Sequence, residues 1–283
     1  FHLVEPAKIW KLYTTEVYRM DSHYRHFHYF FGNTLKSPHA LLEDALKKCS
    51  DVVEGLYREW FLKELTLNWT HAIAGDLECL GYVSEINKQR EFYRRYVSPN
   101  VSKGGRVFVV ISDALRFEVA AELSEALSHT TKGKAALESM QAVFPGTTKF
   151  GMAALLPGKE LSVSEKMEVS IDGNPTGSTA ARGAVLSAAN PDSVTVTYND
   201  LLQMKKVERR ALVQGKEIIY IYHNSIDALG DKLATETKVF EACDAAISEL
   251  NGIVKIIVND LSGINIFITA DHGFLYTYKP LEE

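Results

Sequence analysis

Hydrophobic positions change their rhythm about a third of the way along the chain. Between residues 7 and 97 they recur at helical spacing, as in Val53, Leu56, Tyr57, Trp60, Phe61 and Leu65. This third predicts an all-helical region. Gly32 with Asn33 predicts the end of one helix, and Ser37-Pro38 predicts a break before the next. The turn formers Ser98-Pro-Asn-Val-Ser-Lys-Gly-Gly105 mark a boundary, so the expected organisation is a helical domain over 1–99 and a second domain over 100–283.

Beyond that boundary short β-rich runs alternate with helical stretches, which predicts an α/β fold with a mainly parallel sheet flanked by helices. Arg106-Val-Phe-Val-Val-Ile-Ser112 is an almost unbroken apolar run, as a strand covered on both faces requires. A helix is expected at about 116–128, then a run from Leu137 to Phe144, a turn at Pro145-Gly146 and a short helix from Lys149 to Leu156. Alternation over 161–171 predicts a hairpin, the Gly/Thr/Pro cluster at 172–178 a turn, and the small residues of about 179–189 a helix. Strands follow at 194–197 and 217–222, with one charged helix between them. Leu233, Phe240, Cys243, Ile247 and Leu250 share a helical face that Ile253 to Val258 continues, so one long helix is expected to end near Leu261-Ser-Gly263. The last predicted strand is Asn265-Ile-Phe-Ile-Thr269.

Composition narrows the class. The 283 residues are 46% hydrophobic and 24% charged, enough for a sizeable core and unlike a disordered, collagenous or coiled-coil chain. Thirty-one Lys and Arg stand against 36 Asp and Glu, a net charge of -5, which argues against a polyanion binder working by bulk charge. A local basic groove stays open. No apolar run approaches the roughly 20 residues that span a bilayer, and no leader pattern opens the sequence, so a soluble, cytoplasmic protein without membrane partners is expected. Cys49, Cys79 and Cys243 are too few and too scattered for a disulfide framework or a CxxC zinc site. The initial Phe1 and the unfinished pattern over 276–283 predict a fragment of a longer protein, cut at its C-terminal end.

Candidate chemistry sits at strand ends. Asp113 follows the first strand, Asp227 and Asp231 come shortly after the 217–222 strand, and Asp271-His272-Gly273 follows the last. Ligands of open α/β sheets bind beyond the carboxyl ends of strands, so these acids can converge as a metal site. Any one of them alone would more often be a helix cap or a turn residue. Thr147-Thr148, just after Pro145-Gly146 and before a short helix, offers a hydroxyl either as an N-cap or as a nucleophile. Arg116 and Glu118 are supporting or structural candidates, Lys149 reads as a solvated surface residue, and His223 with Asn224 as a buried pair orienting Asp227. His23, His26 and His28 cannot share one helical face, which favours aromatic packing or a partner surface over a zinc site. Arg90, Arg94 and Arg95 read as a solvated basic face.

In this order the motifs resemble the alkaline phosphatase superfamily: Asp113 after a buried strand, Thr148 followed by Met152-Ala-Ala-Leu-Leu-Pro-Gly158, Asp227-Ala-Leu-Gly-Asp231, and Thr269-Ala-Asp-His-Gly273. Within it the segments Phe-Pro-x-x-Thr, Tyr-His-Asn-x-Ile-Asp and Ala-Asp-His-Gly-Phe-Leu-Tyr are most similar to the PglZ family, the phosphatase-like proteins of BREX phage-resistance systems. The resemblance implies an alkaline-phosphatase-like core preceded by a helical domain, and a metal-dependent phosphatase or phosphodiesterase. Its substrate would be a nucleic acid or a nucleotide, and its partners other proteins of the defence system. It implies Thr148 as nucleophile, with Asp113, Thr148, Asp271 and His272 holding one divalent metal and Asp227 and Asp231 a second. Zinc is the first expectation, with manganese or magnesium as alternatives. The superfamily usually has His where Asp231 stands, so the second site would be richer in oxygen and suit a harder metal. A further family His completes that site downstream, and none follows His272. The competing expectation is a metal-stabilised scaffold that docks other components without catalysis.

Overall fold

The computed structural model describes residues 5–35, 40–230 and 238–278. The fold is α/β: a parallel four-stranded sheet flanked by helices and preceded by a helical region, in line with the expected class. The helical region begins with α1 (Pro6–Leu12), which runs through the wide turns of Tyr13–Val17 into α2 (Tyr18–Leu35). It continues with α3 (Ala40–Glu54), which passes through Gly55–Leu62 into α4 (Lys63–Leu80). Gly81, in the left-handed conformation at φ 73°, ends α4 as a C-terminal glycine does. The helix end expected at Gly32-Asn33 falls within two residues of Leu35, the last residue of α2. Pro38 and Asp231 lie outside the described residues. Ser98-Pro-Asn-Val101 is itself a helical turn, α5, and the chain reverses only over the next three residues.

The sheet is built from β1 (Val107–Ser112), β5 (Ser193–Thr197), β6 (Ile218–His223) and β7 (Asn265–Ala270) in the order β5-β6-β1-β7, all parallel. β1 and β6 are central, and every residue of both is buried, which is why both read as continuous apolar runs. The helices that pack on the sheet include α6 (Phe117–Thr130), α7 (Thr148–Ala154), α8 (Thr179–Ala189) and α12 (Val239–Leu261). Between β5 and β6 the single expected helix is two, α9 (Tyr198–Gln203) and α10 (Lys206–Val213), broken at Met204, where the backbone turns extended. The expected hairpin is β2 (Leu161–Val163) with β3 (Val169–Ile171), joined by a third short strand, β4 (Asn174–Pro175), that sequence alternation did not reveal. A one-turn helix, α11 (Asp227–Gly230), follows β6.

One buried cluster joins Tyr24, Tyr57 and Phe61 of the helical region to Phe108, Val110, Ile219 and Ile221 of the sheet and to Phe240, Ala246 and Leu250 of α12. A second, on the other face, packs Val107, Val109, Ile111 and Tyr220 against Met152, Leu155 and Leu186. With both faces covered, the open ground is at the carboxyl ends of the strands. Ser112 is level with His223 on one side and with Ala270 on the other, so the residues just past these three strands emerge side by side. Among the described residues no helix is long and apolar enough to cross a membrane.

Candidate metal centre

Asp113, the first residue past β1, keeps its amide in the ladder by donating to the His223 carbonyl at 2.8 Å. Ala114 then takes φ 60°, a conformation that costs energy for a residue with a Cβ. Its N–H donates to Asp271 Oδ1 at 3.1 Å, so the strained turn after β1 and the carboxylate after β7 hold each other. The His272 amide donates to the same oxygen at 2.9 Å. Asp271 Oδ2 is buried and has no hydrogen-bond partner. Burial above all, with Asp113 adding repulsion, pushes the Asp271 carboxyl up to about 7.

His272 Nδ1–H donates to the Gly273 carbonyl at 2.9 Å, which leaves Nε2 as the functional nitrogen. Nε2 faces three oxygens: Thr148 Oγ1 at 3.0 Å, Asp113 Oδ1 at 3.4 Å and Asp271 Oδ2 at 3.5 Å. The hydrogen bond to Asp113 is the largest influence lifting the imidazole to about 9, so a proton lodges where several acidic oxygens meet. Donor atoms of Asp113, Asp227 and His272 all lie within 4.8 Å of one another, which brings the first residue of α11, four positions past β6, into the same group. Thr148 is the first residue of α7 and stands 3.5 Å from Asp113. Thr147, the N-cap residue, is exposed, as is Lys149.

Thus five of the six residues expected from the sequence are brought together, and Asp231 lies outside the described residues. An orphaned buried carboxylate oxygen, three carboxylates and an imidazole whose other nitrogen is already engaged form a donor set suited to a divalent cation. Several other titratable residues have structural partners. His223, fully buried, spans Ser112 Oγ at 2.9 Å and Glu249 Oε2 at 2.8 Å, and burial lowers its pKa. The ring nitrogens are engaged by those two side chains, and Asn224 is exposed with its carbonyl accepting from Ala228, so the expected buried pair orienting Asp227 is corrected. Arg116 is ion-paired with Asp21 and Glu118. His28 is buried 2.9 Å from Glu54 and stacked on Tyr278, while His26 lies near Glu122 and Asp244, whose carboxylates the Arg25 guanidinium already engages. Arg90 donates to the Leu156 and Gly158 carbonyls, and Arg94 and Arg95 pair with Glu91.

Two contributors were not legible in the sequence. Gly151 of α7 lies so close to the turn after β7 that a Cβ there would meet the Asp271 carbonyl oxygen at 2.1 Å. Gln89 is buried and bonds that same carbonyl. Neither carries a signal in its local pattern, because each acts on a residue more than a hundred positions away.

The family model of the BREX system PglZ alkaline phosphatase-like domain matches residues 92–283. The alkaline phosphatase-like protein PglZ of Bacillus cereus (strain H3081.97) is 37% identical over 278 residues, covering 98% of this chain and 32% of that protein. The alkaline phosphatase-like protein BrxZ of Escherichia coli O9:H4 (strain HS) is 38% identical over 286 residues, covering 99% of this chain and 32% of that protein. The chain therefore spans about a third of the length of these curated relatives. On the match over two thirds of its residues, and on the identity to these relatives over nearly its whole length, the chain belongs to the PglZ family of BREX alkaline phosphatase-like domains.

Proposed function

We infer that this chain is the catalytic part of a metal-dependent phosphoester hydrolase of a phage-defence system, with Thr148 as its nucleophile. The observation that carries this reading is the meeting of the Thr148 hydroxyl with the donor atoms of Asp113, Asp227 and His272, beside a buried Asp271 oxygen that has no hydrogen-bond partner. Asp113, Asp271, His272 and the Thr148 hydroxyl would hold one divalent cation, and Asp227 with Asp231 a second. Zinc is the first candidate, and the oxygen-rich second set suits manganese or magnesium as well. When bound, such cations supply Lewis acidity, making a hydroxyl more acidic and offsetting the charge on phosphoryl oxygens.

The residues themselves then do the following. Thr148 Oγ1 attacks phosphorus in line, its O–P bond forming as the bond to the leaving oxygen breaks, and water later cleaves the phosphothreonine. Asp271, fixed by two backbone N–H groups through Oδ1, keeps Oδ2 aimed into the centre. Gly273, by accepting from Nδ1, keeps the His272 Nε2 directed at the threonine. The proposed substrate is a phosphodiester in a nucleic acid or a nucleotide, and the proposed partners are other proteins of the defence system.

Elemental analysis of the purified protein, with parallel assays on a generic phosphomonoester and a phosphodiester, tests the reading. Thr148→Ala is expected to reduce turnover to background with metal retained, and Thr147→Ala to leave turnover largely intact. Activity lost in Thr147→Ala and kept in Thr148→Ala would transfer the nucleophile's role to Thr147. A metal-free, inactive wild-type protein would favour a docking scaffold.

A further inference from the structure

The Asp271 carbonyl oxygen is held from two directions. Gly151 packs against it from α7, three residues after Thr148, and Gln89 Nε2 donates to it at 2.6 Å. The same amide nitrogen donates to the Ala270 carbonyl at 3.0 Å, so it clasps the last peptide of β7 and the first residue beyond it. Gln89 Oε1 accepts from the Val143 N–H at 3.2 Å, in the segment that leads through Pro145 to Thr148. Its backbone N–H donates to Gln141 O at 2.9 Å, and the Gln141 N–H donates to Asn87 O at 2.7 Å, anchoring the loop from which the side chain reaches. Gln89 is 2% exposed. Only this amide orientation serves both partners, since exchanging its oxygen and nitrogen would set an acceptor against two carbonyls.

We propose that Gln89 is the positioning residue of the centre: its one side chain sets the turn bearing Asp271 and His272 relative to the segment that delivers Thr148. The proposal rests on the reading of Asp271 and His272 as metal ligands. A glutamine suits the task because it offers donors to the ligand turn and an acceptor to the nucleophile segment at once. Neighbours that orient metal ligands typically change affinity about 10- to 100-fold when removed.

Gln141 is the control. It is also buried and also makes three hydrogen bonds, to Val83 N, Val83 O and Ile86 O, so its loss damages the same loop without touching the ligand turn. In the intact chain, Gln89→Ala and the near-isosteric Gln89→Glu are expected to weaken zinc or manganese binding about 10- to 100-fold in titration calorimetry, against less than about threefold for Gln141→Ala. The second measurement needs no metal: the His272 imidazole resonances of the metal-free protein should move in both Gln89 variants and stay in place in Gln141→Ala. Equal losses in the Gln89 and Gln141 variants, or unchanged affinity and unchanged resonances in Gln89→Glu, would overturn the proposal. If the wild-type chain binds no metal at all, it is the metal-hydrolase reading that fails, and the His272 resonances decide the role of Gln89 by themselves.

Discussion

His272 commits Nδ1–H to the Gly273 carbonyl, so the whole behaviour of the imidazole toward the site passes through Nε2. In the metal-free protein that nitrogen is protonated well above neutrality, at about 9, because Asp113 accepts its proton, while the buried Asp271 carboxyl titrates at about 7. The two share one cluster, so their protons leave as a coupled set. If the two are metal ligands as proposed, a cation would have to displace these protons, since an imidazole binds metal only when neutral and a carboxylate only when ionised. Sign and window follow: below pH 7 both groups hold protons and oppose the metal, and apparent affinity rises as pH climbs through 7 toward 9. At pH 7, roughly one to two protons per cation are expected to be released. Calorimetry in buffers of different ionisation heat counts them, and a release of none would mean that His272 and Asp271 are not ligands.

At the scale of elements, the site depends on α7 lying hard against the turn after β7. Gly151 makes that approach possible, with no room for even a methyl group before the Asp271 backbone. In an ordinary helix Gly→Ala is stabilising by up to about 1 kcal/mol, but here contact at 2.1 Å with a backbone oxygen outweighs propensity. Gly151→Ala is expected to destabilise by on the order of 1–3 kcal/mol and to slow turnover by moving Thr148 away from His272. Denaturant unfolding and the phosphodiester assay check the two halves, and a more stable, fully active variant would show that α7 moves freely. Elements of this kind differ in how readily they are read. β1 and β6 are buried along their whole length and announce themselves as apolar runs, and the 23 residues of α12 keep one apolar face throughout. Asp113, Asp227, Asp271 and His272 are legible because strand ends in a parallel sheet have a common fate. The break between α9 and α10 turns on the backbone at Met204, and β4 is two residues long, so neither leaves a period to find. Gly151 and Gln89 are silent for another reason: their value lies in long-range contacts with Asp271.

Across the whole molecule, the helical region and the helices packed on the sheet are joined by buried charge as well as by apolar packing. Arg25 of α2 is fully buried and reaches Glu118 at 3.4 Å and Glu122 at 2.6 Å on α6, and Asp244 on α12. Arg116, just ahead of α6, is ion-paired with Glu118 at 3.2 Å and with Asp21 of α2 at 3.3 Å. Glu118 thus lies between two arginines that belong to different layers, and burial still raises its pKa above the ordinary carboxylate value. Taking away one partner of a buried ion pair strands the other, at a cost of about 3–5 kcal/mol. Arg25→Met, which keeps the apolar bulk, is therefore expected to lower stability by about that amount and to loosen α2 from α6. The pH dependence identifies the cause. Without Arg25 the Glu118 pKa rises further, so the folded state holds a proton that the unfolded chain has released, and stability is lost as pH increases above the ordinary carboxylate range. The deficit of Arg25→Met relative to wild type should consequently be larger at pH 8 than at pH 5. Adding Glu118→Gln should recover part of it and flatten the difference. Denaturant melts of the single and double variants at both pH values measure this, and a deficit that is equal at the two pH values and unrelieved by Glu118→Gln would assign the role of Arg25 to packing instead of charge.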